Sequence, residues 1–434
     1  MKEYHVELGK QNLGDFRAAG FPIDKVFEES EKELAKRERY YLPIEPKPGS
    51  WYGHKFNEVA SRDLIRNFAY AIDDVNPLWS DKGYAQKTRH LGIIAPPTFL
   101  DCIARSYELA LPGCPYITGY DAGTRWERFR EVHEGDSFVV YDEWKGIEVK
   151  GNRASEAGPV LITHTLTTYL NQRDELMARC DGRHIILTSL SPNKSESAVH
   201  PPTLPSEEYV YSDEELEAIK RGYEEGERHR RGASIHYWED VVEGEELYPV
   251  VKGPLSVADM GAWFAVHPAF VTSHGWWLWK ERAFYPPGLA GFVTHPVSRI
   301  PLSAYAVHLE PTAAMLVTGT PRPFGQAAQM ESWFGHLVTN WMGDDGFLRV
   351  LDSRAHRPNY FGDTTWVHGL VTGKYVEGGE HLADIDIWTT QQANLGVPPE
   401  DTGLAESAVA KLKAEGVRVT AHSKATVRLL ARDS

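Results

Sequence analysis

Apolar residues recur at helical spacing after Ser61. Leu64, Phe68 and Ile72 share one face and charged residues take the other. The pattern predicts a helix that must stop before Asn76-Pro77, because proline lacks the amide donor and pushes its predecessor out of the α region. A second apolar run, Thr98-Phe99-Leu100-Asp101-Cys102-Ile103-Ala104, follows Pro96-Pro97 and reads as a buried helix. Asp74 and Asn76 therefore fall on a loop held between packed elements, where reactive groups are most often carried. Downstream, residues 124–147 read as two strands around a Gly135-Asp136 turn, and residues 159–170 are rich in β-branched residues. Residues 1–50 read as an N-terminal extension, with an amphipathic helix from Ile23 to Tyr41 and a proline-rich segment at 43–48. Residues 189–205 are polar and proline-bearing and read as a linker. Ser212-Asp213-Glu214-Glu215 is then a capping box that opens a charged connector helix running to about Arg231.

The second half repeats the first. Gly135-Asp136 returns as Gly362-Asp363, 227 positions later, and Trp79-Ser80-Asp81 with Ala85 returns as His308-Leu309-Glu310 with Ala314, 229 positions later. Asp63 returns as Asp259 at an offset of 196, so the second half holds 33 extra residues, at about 268–300. That insert is rich in aromatic residues, among them Trp276, Trp277 and Trp279. The apolar segment 329–342 stands where the first half has 97–110. Four stretches result: the extension 1–50, a first domain 51–188, a linker with connector helix 189–232, and a second domain 233–434.

The stretch Asp73-Asp74-Val75-Asn76-Pro77-Leu78-Trp79-Ser80-Asp81, followed by Ala85 and by Ala95-Pro96-Pro97-Thr98, resembles the loop of the MaoC-like hydratases and dehydratases. In these (R)-specific enoyl-thioester hydratases the loop reads G-D-x-N-P-(I/L)-H-x-D, then a small residue, then A-P-(G/P)-T. The chain departs from this at Trp79, where the family places its catalytic histidine. The resemblance covers most of residues 50–180 and 240–434, and residues 339–366 also resemble the second half of two-domain acyl dehydratases. It implies an α+β double hotdog: two fused hotdog domains, each a long central helix wrapped by an antiparallel sheet.

The chemistry implied is reversible hydration of a 2-enoyl thioester to a 3-hydroxyacyl thioester, with coenzyme A as the expected carrier. Asp74 would be the base toward water, Asn76 would orient it, and a histidine would be the acid, with His308 and His336 the first choices and His267 and His274 also in view. Backbone N–H groups at the start of the central helix would hold the developing oxyanion. By the repeat, Ser303 and Tyr305 occupy the second-half positions of Asp74 and Asn76, so neither half carries a complete pair. Trp79, Pro97, Thr98, Trp276 and Trp277 are the expected walls of the substrate site. Two other classes remain open: a thioesterase or different lyase using Asp74 alone, and a non-catalytic ligand-binding or partner subunit. Plainer roles stand beside each residue. Asp74 and Asn76 can stabilise a turn, His336 between Trp333 and Trp341 can be a packed core histidine, His308 a surface imidazole, and the tryptophan cluster core or interface.

Composition narrows the partners. The length of 434 residues accommodates three average domains or two larger ones. A net charge of −15 argues against nucleic acid, since phosphate binding needs concentrated Lys and Arg. The start MKEYHVELGKQNLGDF has no apolar core of a signal peptide, and no run of 18 apolar residues occurs, so a cytoplasmic protein without membrane contact is expected. Cys102, Cys114 and Cys180 suggest neither a disulfide framework nor a thiolate zinc site, and the 18 histidines show no metal-binding spacing. No cofactor is expected. Arg125, Arg128, Arg130, Arg354 and Arg357 are candidates for coenzyme A phosphates or ordinary surface charges. Exposed sheet edges make a homo-oligomer, a homodimer first, the expected assembly.

Overall fold

The computed structural model describes residues 17–18, 20–33, 39–40, 56–105, 111, 114, 116–150, 157–189, 209–267, 293–302 and 304–432. In the first half, helix α1 (Ile23–Glu33) is shorter than its sequence pattern predicts; residues 34–38 and the proline-rich segment lie outside the described residues. Strand β1 (Arg39–Tyr40) is followed by helix α2 (Arg62–Ala71), which starts where the Ser61 hydroxyl accepts the Leu64 N–H and buries Ile65, Phe68 and Ala69. A short helix α3 (Lys82–Ala85) leads to the long strands β2 (Tyr116–Arg128), β3 (Phe138–Lys150), β4 (Ala157–Asn171) and β5 (Leu176–Ser189). The connector α4 (Asp213–Arg228) opens with the reciprocal Ser212/Glu215 capping box.

The second half runs β6 (Glu246–Lys252), α5 (Val257–Val266), a small hairpin of β7 (Val293–Thr294) and β8 (Pro301–Leu302), α6 (Pro311–Thr318) and α7 (Ala327–Met342). Strands β9 (Phe347–Ala355), β10 (Thr365–Glu377) and β11 (Glu380–Gln391) follow, then α8 (Glu406–Ala414) and β12 (Ala421–Arg428). Ten strands form one sheet in the order β1-β3-β4-β5-β2-β9-β12-β11-β10-β6. The order reads the same way outward from its centre in both halves. There β2 pairs antiparallel with β9, with Arg125 opposite Asp352, Trp126 opposite Leu351 and Glu127 opposite Val350. The molecule is α+β, a double hotdog whose two sheets have become one.

The repeat is visible bond by bond. Ser61 and Ser256 each cap a ten-residue helix. The Ala60 N–H donates to the Asp136 carbonyl at 2.8 Å, and Leu255 does the same to Asp363 at 2.9 Å. Gly135 and Gly362 are both left-handed (φ 95° and 87°), the conformation that glycine adopts without strain. These pairs set the helix offset at 195, one less than the alignment on Asp63 and Asp259. Asp81 and Glu310 cap α3 and α6, which upholds the offset of 229.

The halves differ at their centres. In the second, α7 is buried from Ala328 to Met342, polar side chains included. In the first, the segment expected as a buried helix is a single 3-10 turn, Phe99–Cys102, in which Asp101 N–H bonds the Thr98 carbonyl and Ile103 N–H that of Leu100. Asp101 in this turn pairs with Arg105, 3.0 Å away in the interior. Residues 106–110 lie outside the described residues, as do residues 268–292, with them most of the aromatic insert including Trp276 and Trp277. One continuous apolar core joins the halves, running through Phe68, Phe99, Trp126, Trp263, Phe334, Leu337 and Leu351. No described helix is long and apolar enough to cross a membrane.

The seam between β2 and β9 is tightest at Gly123 (φ 113°), where a β-carbon would lie 2.0 Å from the Ser353 carbonyl oxygen. Gly123→Ala should therefore destabilise the fold by about 3 kcal/mol or more, the scale of a strained backbone combined with a forced clash. Urea unfolding checks this; a change under about 0.5 kcal/mol, the ordinary surface range, would show that the seam is compliant.

Candidate active site

The site begins where α2 ends. Past Ile72 the chain turns through Asp73 in the left-handed region (φ 54°), and the Asp74 N–H reaches back to the Ala69 carbonyl at 2.9 Å. The Asp74 carboxylate accepts the Asn76 N–H at 3.1 Å, and the Asn76 side-chain oxygen accepts the Leu78 N–H at 3.0 Å. Two side-chain turns in series thus fix the loop locally, with Pro77 at the first position of the following 3-10 turn. The plainer role foreseen for both residues is filled, yet it leaves groups to spare. One Asp74 oxygen has no hydrogen bond among the described residues, and the Asn76 amide donates at 3.0 Å to Asp344, beyond the end of α7.

Asp344 is the clamp on this loop. One carboxylate oxygen takes Asn76 and the other the Tyr84 hydroxyl at 2.6 Å, while its carbonyl meets His90 at 2.9 Å. Its backbone N–H donates to the Gly232 carbonyl. The loop of the first half is thereby tied to the end of the central helix of the second.

That helix supplies the histidine. His336 Nε2 lies 3.9 Å from Asp74 Oδ1, the oxygen that accepts the Asn76 N–H, too far for a direct hydrogen bond and within the reach of one water. Both side chains are buried, at 5% and 3% exposure, and Nε2 has no hydrogen-bond partner among the described residues. The other ring nitrogen, Nδ1, sits 2.8 Å from Lys252 Nζ. Trp79, in the family's histidine position, is buried beside the pair; its indole N–H favours the charged Asp74 without meeting hydrogen-bond geometry.

Burial dominates the electrostatics. It raises the Asp74 carboxyl to about 6, against the opposing pull of the Asn76 N–H, Lys252, Trp79 and Arg230. Burial also pushes His336 well below the ordinary imidazole value, and Lys252 and Arg230 push the same way. At neutral pH the site therefore holds a carboxylate that can accept a proton beside a neutral imidazole.

A crevice is lined by Asn76, Trp79, Pro97, Leu100, Arg128 and Thr339 among others; Asp74 and His336 are not in its wall, and Asn76 and Trp79 are the members of their loop that reach it. Its room of about 40 Å³ holds about three waters. Thr98 is buried beside it, its methyl group packed where a β-carbon on Gly335 would come within 3.1 Å. Of the expected walls, Trp79 and Pro97 therefore line the crevice, Thr98 supports it, and Trp276 and Trp277 lie outside the described residues.

The structure brings Asp74, Asn76, Trp79 and His336 together. His308 sits elsewhere, in the second-half position of Trp79, with Nδ1 2.6 Å from the Phe324 carbonyl and rings of Phe324, Phe264 and Tyr305 around it. Burial lowers it to about 4. His267 is enclosed against Trp263 and Phe56, and His274 lies outside the described residues. Arg128 and Arg130 line the crevice, whereas Arg354 bonds Asp352 and Arg357 bonds Asp363. No group of three His, Cys, Asp or Glu residues that could hold a metal ion occurs among the described residues. Sequence reasoning passed over Lys252 and Asp344. A lone lysine ending the apolar run Val250-Val251 was a usable signal for the first; Asp344 offers none, because its partners are 254 to 268 positions away.

Residues 47–180 match the family model described as the FAS1-like dehydratase domain region. A UPF0336 protein of Parafrankia sp. is 39% identical over 85 residues, 18% of this chain and 56% of that protein, so the match spans little more than half of that relative's length. A UPF0336 protein of Streptomyces coelicolor is 29% identical over 116 residues, 24% of this chain and 77% of its own. Among solved structures, one described as a MaoC-like dehydratase superposes with a TM-score of 0.56 at 15% identity, covering 92% of this chain and 99% of its own. The chain is thus a double-hotdog protein with the MaoC-like dehydratase fold, and its first half matches a dehydratase domain family.

Asn76→Ala would leave the Leu78 N–H and one Asp344 oxygen unpaired in a buried setting. A loss of about 1–3 kcal/mol in unfolding free energy is expected, the cost of stranding buried hydrogen-bonding groups. Chemical denaturation of the variant measures it; an unchanged midpoint would mean that Asp344 does not clamp the loop.

Proposed function

We propose that the chain catalyses reversible syn hydration of a 2-enoyl thioester, with coenzyme A as its carrier. The observation that carries this reading is the Asp74–His336 pair: a buried carboxylate and a buried imidazole, 3.9 Å apart, each with a polar atom left over. A water between them would donate to Asp74 and accept from His336. As its oxygen bonds C3 of the enoyl group, Asp74 takes its proton and passes that proton to C2 on the same face. In the reverse direction Asp74 removes the C2 proton and hands it to the departing hydroxyl.

In this reading His336 serves for the loop histidine that Trp79 replaces, and it comes from the central helix of the other half. A neutral imidazole cannot be the strong acid that the loop motif implies, so it serves as hydrogen-bond donor to the water. Asn76 holds the loop, and through it Asp74, against the second half. Substrate entry requires the narrow crevice to widen, and the flexible Met342 in its wall is the side chain best suited to give way.

Hydration of a 2-enoyl-CoA, followed by loss of the conjugated thioester's ultraviolet absorbance, tests the assignment. Asp74→Asn should lower turnover by about 10²- to 10⁴-fold, the contribution of a general base. In the wild type, kcat/KM should rise with pH through about 6 as Asp74 loses its proton. Turnover of Asp74→Asn within threefold of wild type would remove Asp74 from the chemistry.

A further inference from the structure

Lys252 closes β6 with its side chain buried, and its ammonium meets four acceptors. These are the Ile72 carbonyl at 2.9 Å, the Asp73 carbonyl at 2.7 Å, the Asp73 carboxylate at 3.2 Å and His336 Nδ1 at 2.8 Å. The three oxygens can only accept. An ammonium has three hydrogens and no lone pair, so a ring nitrogen facing it cannot itself carry a proton. The single proton of neutral His336 is left on Nε2, the atom turned toward Asp74.

We infer that Lys252 is a positioning residue that locks His336 in its Nε2–H tautomer, so that the imidazole can only donate to the site and Asp74 is its sole proton carrier. The inference rests on the hydratase reading for its catalytic meaning, while the tautomer rests on the 2.8 Å contact and on a charged Lys252, whose ammonium three oxygens also engage.

The repeat shows what the lysine adds. At the offset of 195, its first-half counterpart is Asn57. The Asn57 amide donates to the Val266 carbonyl at 2.9 Å and to the Cys102 carbonyl at 2.6 Å. It thus ties the end of α5 to the central turn of its own half. Lys252 makes the same tether, from the end of α2 to the central helix of its own half, but finishes on an imidazole instead of a carbonyl. A neutral amide suffices to join two backbone segments. A cation joined to a ring nitrogen also dictates where the ring's proton resides.

Burial lowers both groups, Lys252 below its ordinary value and His336 well below its own; Lys252 and Arg230 further oppose the imidazolium, while Asp73, Asp74 and Glu227 favour a charged Lys252. With His336 kept neutral, one proton shuttles between water, Asp74 and C2. The water O–H bond breaks, C3–O and C2–H bonds form, and the C2=C3 pair supplies the electrons, with no net proton left on the protein.

Histidine ¹⁵N spectra of the full-length protein test this, with the His336 signal assigned from a His336→Gln variant. The wild type should show a protonated Nε2 and an unprotonated Nδ1 from pH 5 to 9. Lys252→Met should convert the ring to mixed tautomers and let it titrate upward, adding a limb to the pH profile. Its kcat for 2-enoyl-CoA hydration should fall about 10- to 100-fold, the scale of partners that orient a ring, with KM little changed. Lys252→Arg should keep the wild-type tautomer. A protonated Nδ1 in the wild type overturns the inference whatever the activity. An Nε2–H ring in a protein without hydratase turnover supports the tautomer lock and removes the hydratase reading instead.

Discussion

Arg125 opposite Asp352, Trp126 opposite Leu351 and Glu127 opposite Val350 join the two halves edge to edge in one sheet. Unpaired, β2 and β9 would each present a row of free backbone groups to solvent, the usual hazard of an open edge. Pairing them removes both edges and sets one half against the other at a fixed register. Everything at the site inherits that register. Asp74 stands on a loop of the first half, His336 on the central helix of the second, and they meet only because the sheet is continuous beneath them. Gly123 is the visible cost: its backbone lies too close to Ser353 for any side chain.

Around this seam the interior carries more charge than a structural core needs. Asp74, Lys252, His336 and Asp344 surround the site. A second network joins Arg105 with Asp101, Asp121 and Glu331, with Thr124 donating to Glu331 at 2.8 Å. Burying such groups is unfavourable unless hydrogen bonds compensate, and most of these are compensated. At the Asp74–His336 contact the compensation is incomplete, with one atom of each left without a bond. Buried polar atoms left over on two neighbouring side chains are free to meet a third group.

The internal repeat has been worked unequally. The second half keeps a sixteen-residue central helix; the first shows a 3-10 turn at the equivalent place. Trp79 lies beside Asp74 in one half, while its counterpart His308 is enclosed by aromatic rings and bonded to the Phe324 carbonyl. Asn57 and Lys252 make the same tether with different chemistry. Duplication supplies two equivalent positions, so one can keep a packing role while the other is free to change its side chain.

Much of this was legible along the chain. The helical spacing of Leu64, Phe68 and Ile72, the break at Asn76-Pro77 and the return of Gly-Asp after 227 residues depend only on local backbone preferences and on repetition. Those are written residue by residue. Asp74 and Asn76 were marked by their loop motif, and His336 was one of several histidines available. The choice among them was not legible, because His308 and His336 differ in no local feature that fixes distance to Asp74. Lys252 stood out only as a charge ending an apolar run, with nothing to name its partners, and Asp344 did not stand out at all; those partners lie between 84 and 268 positions away. Sequence by itself determined most of the elements, the first half's central segment excepted, the duplication and the loop that carries the carboxylate. Tertiary structure decided which imidazole faces that carboxylate and which cation holds it, because contact across a folded seam depends on register between strands and not on proximity along the chain.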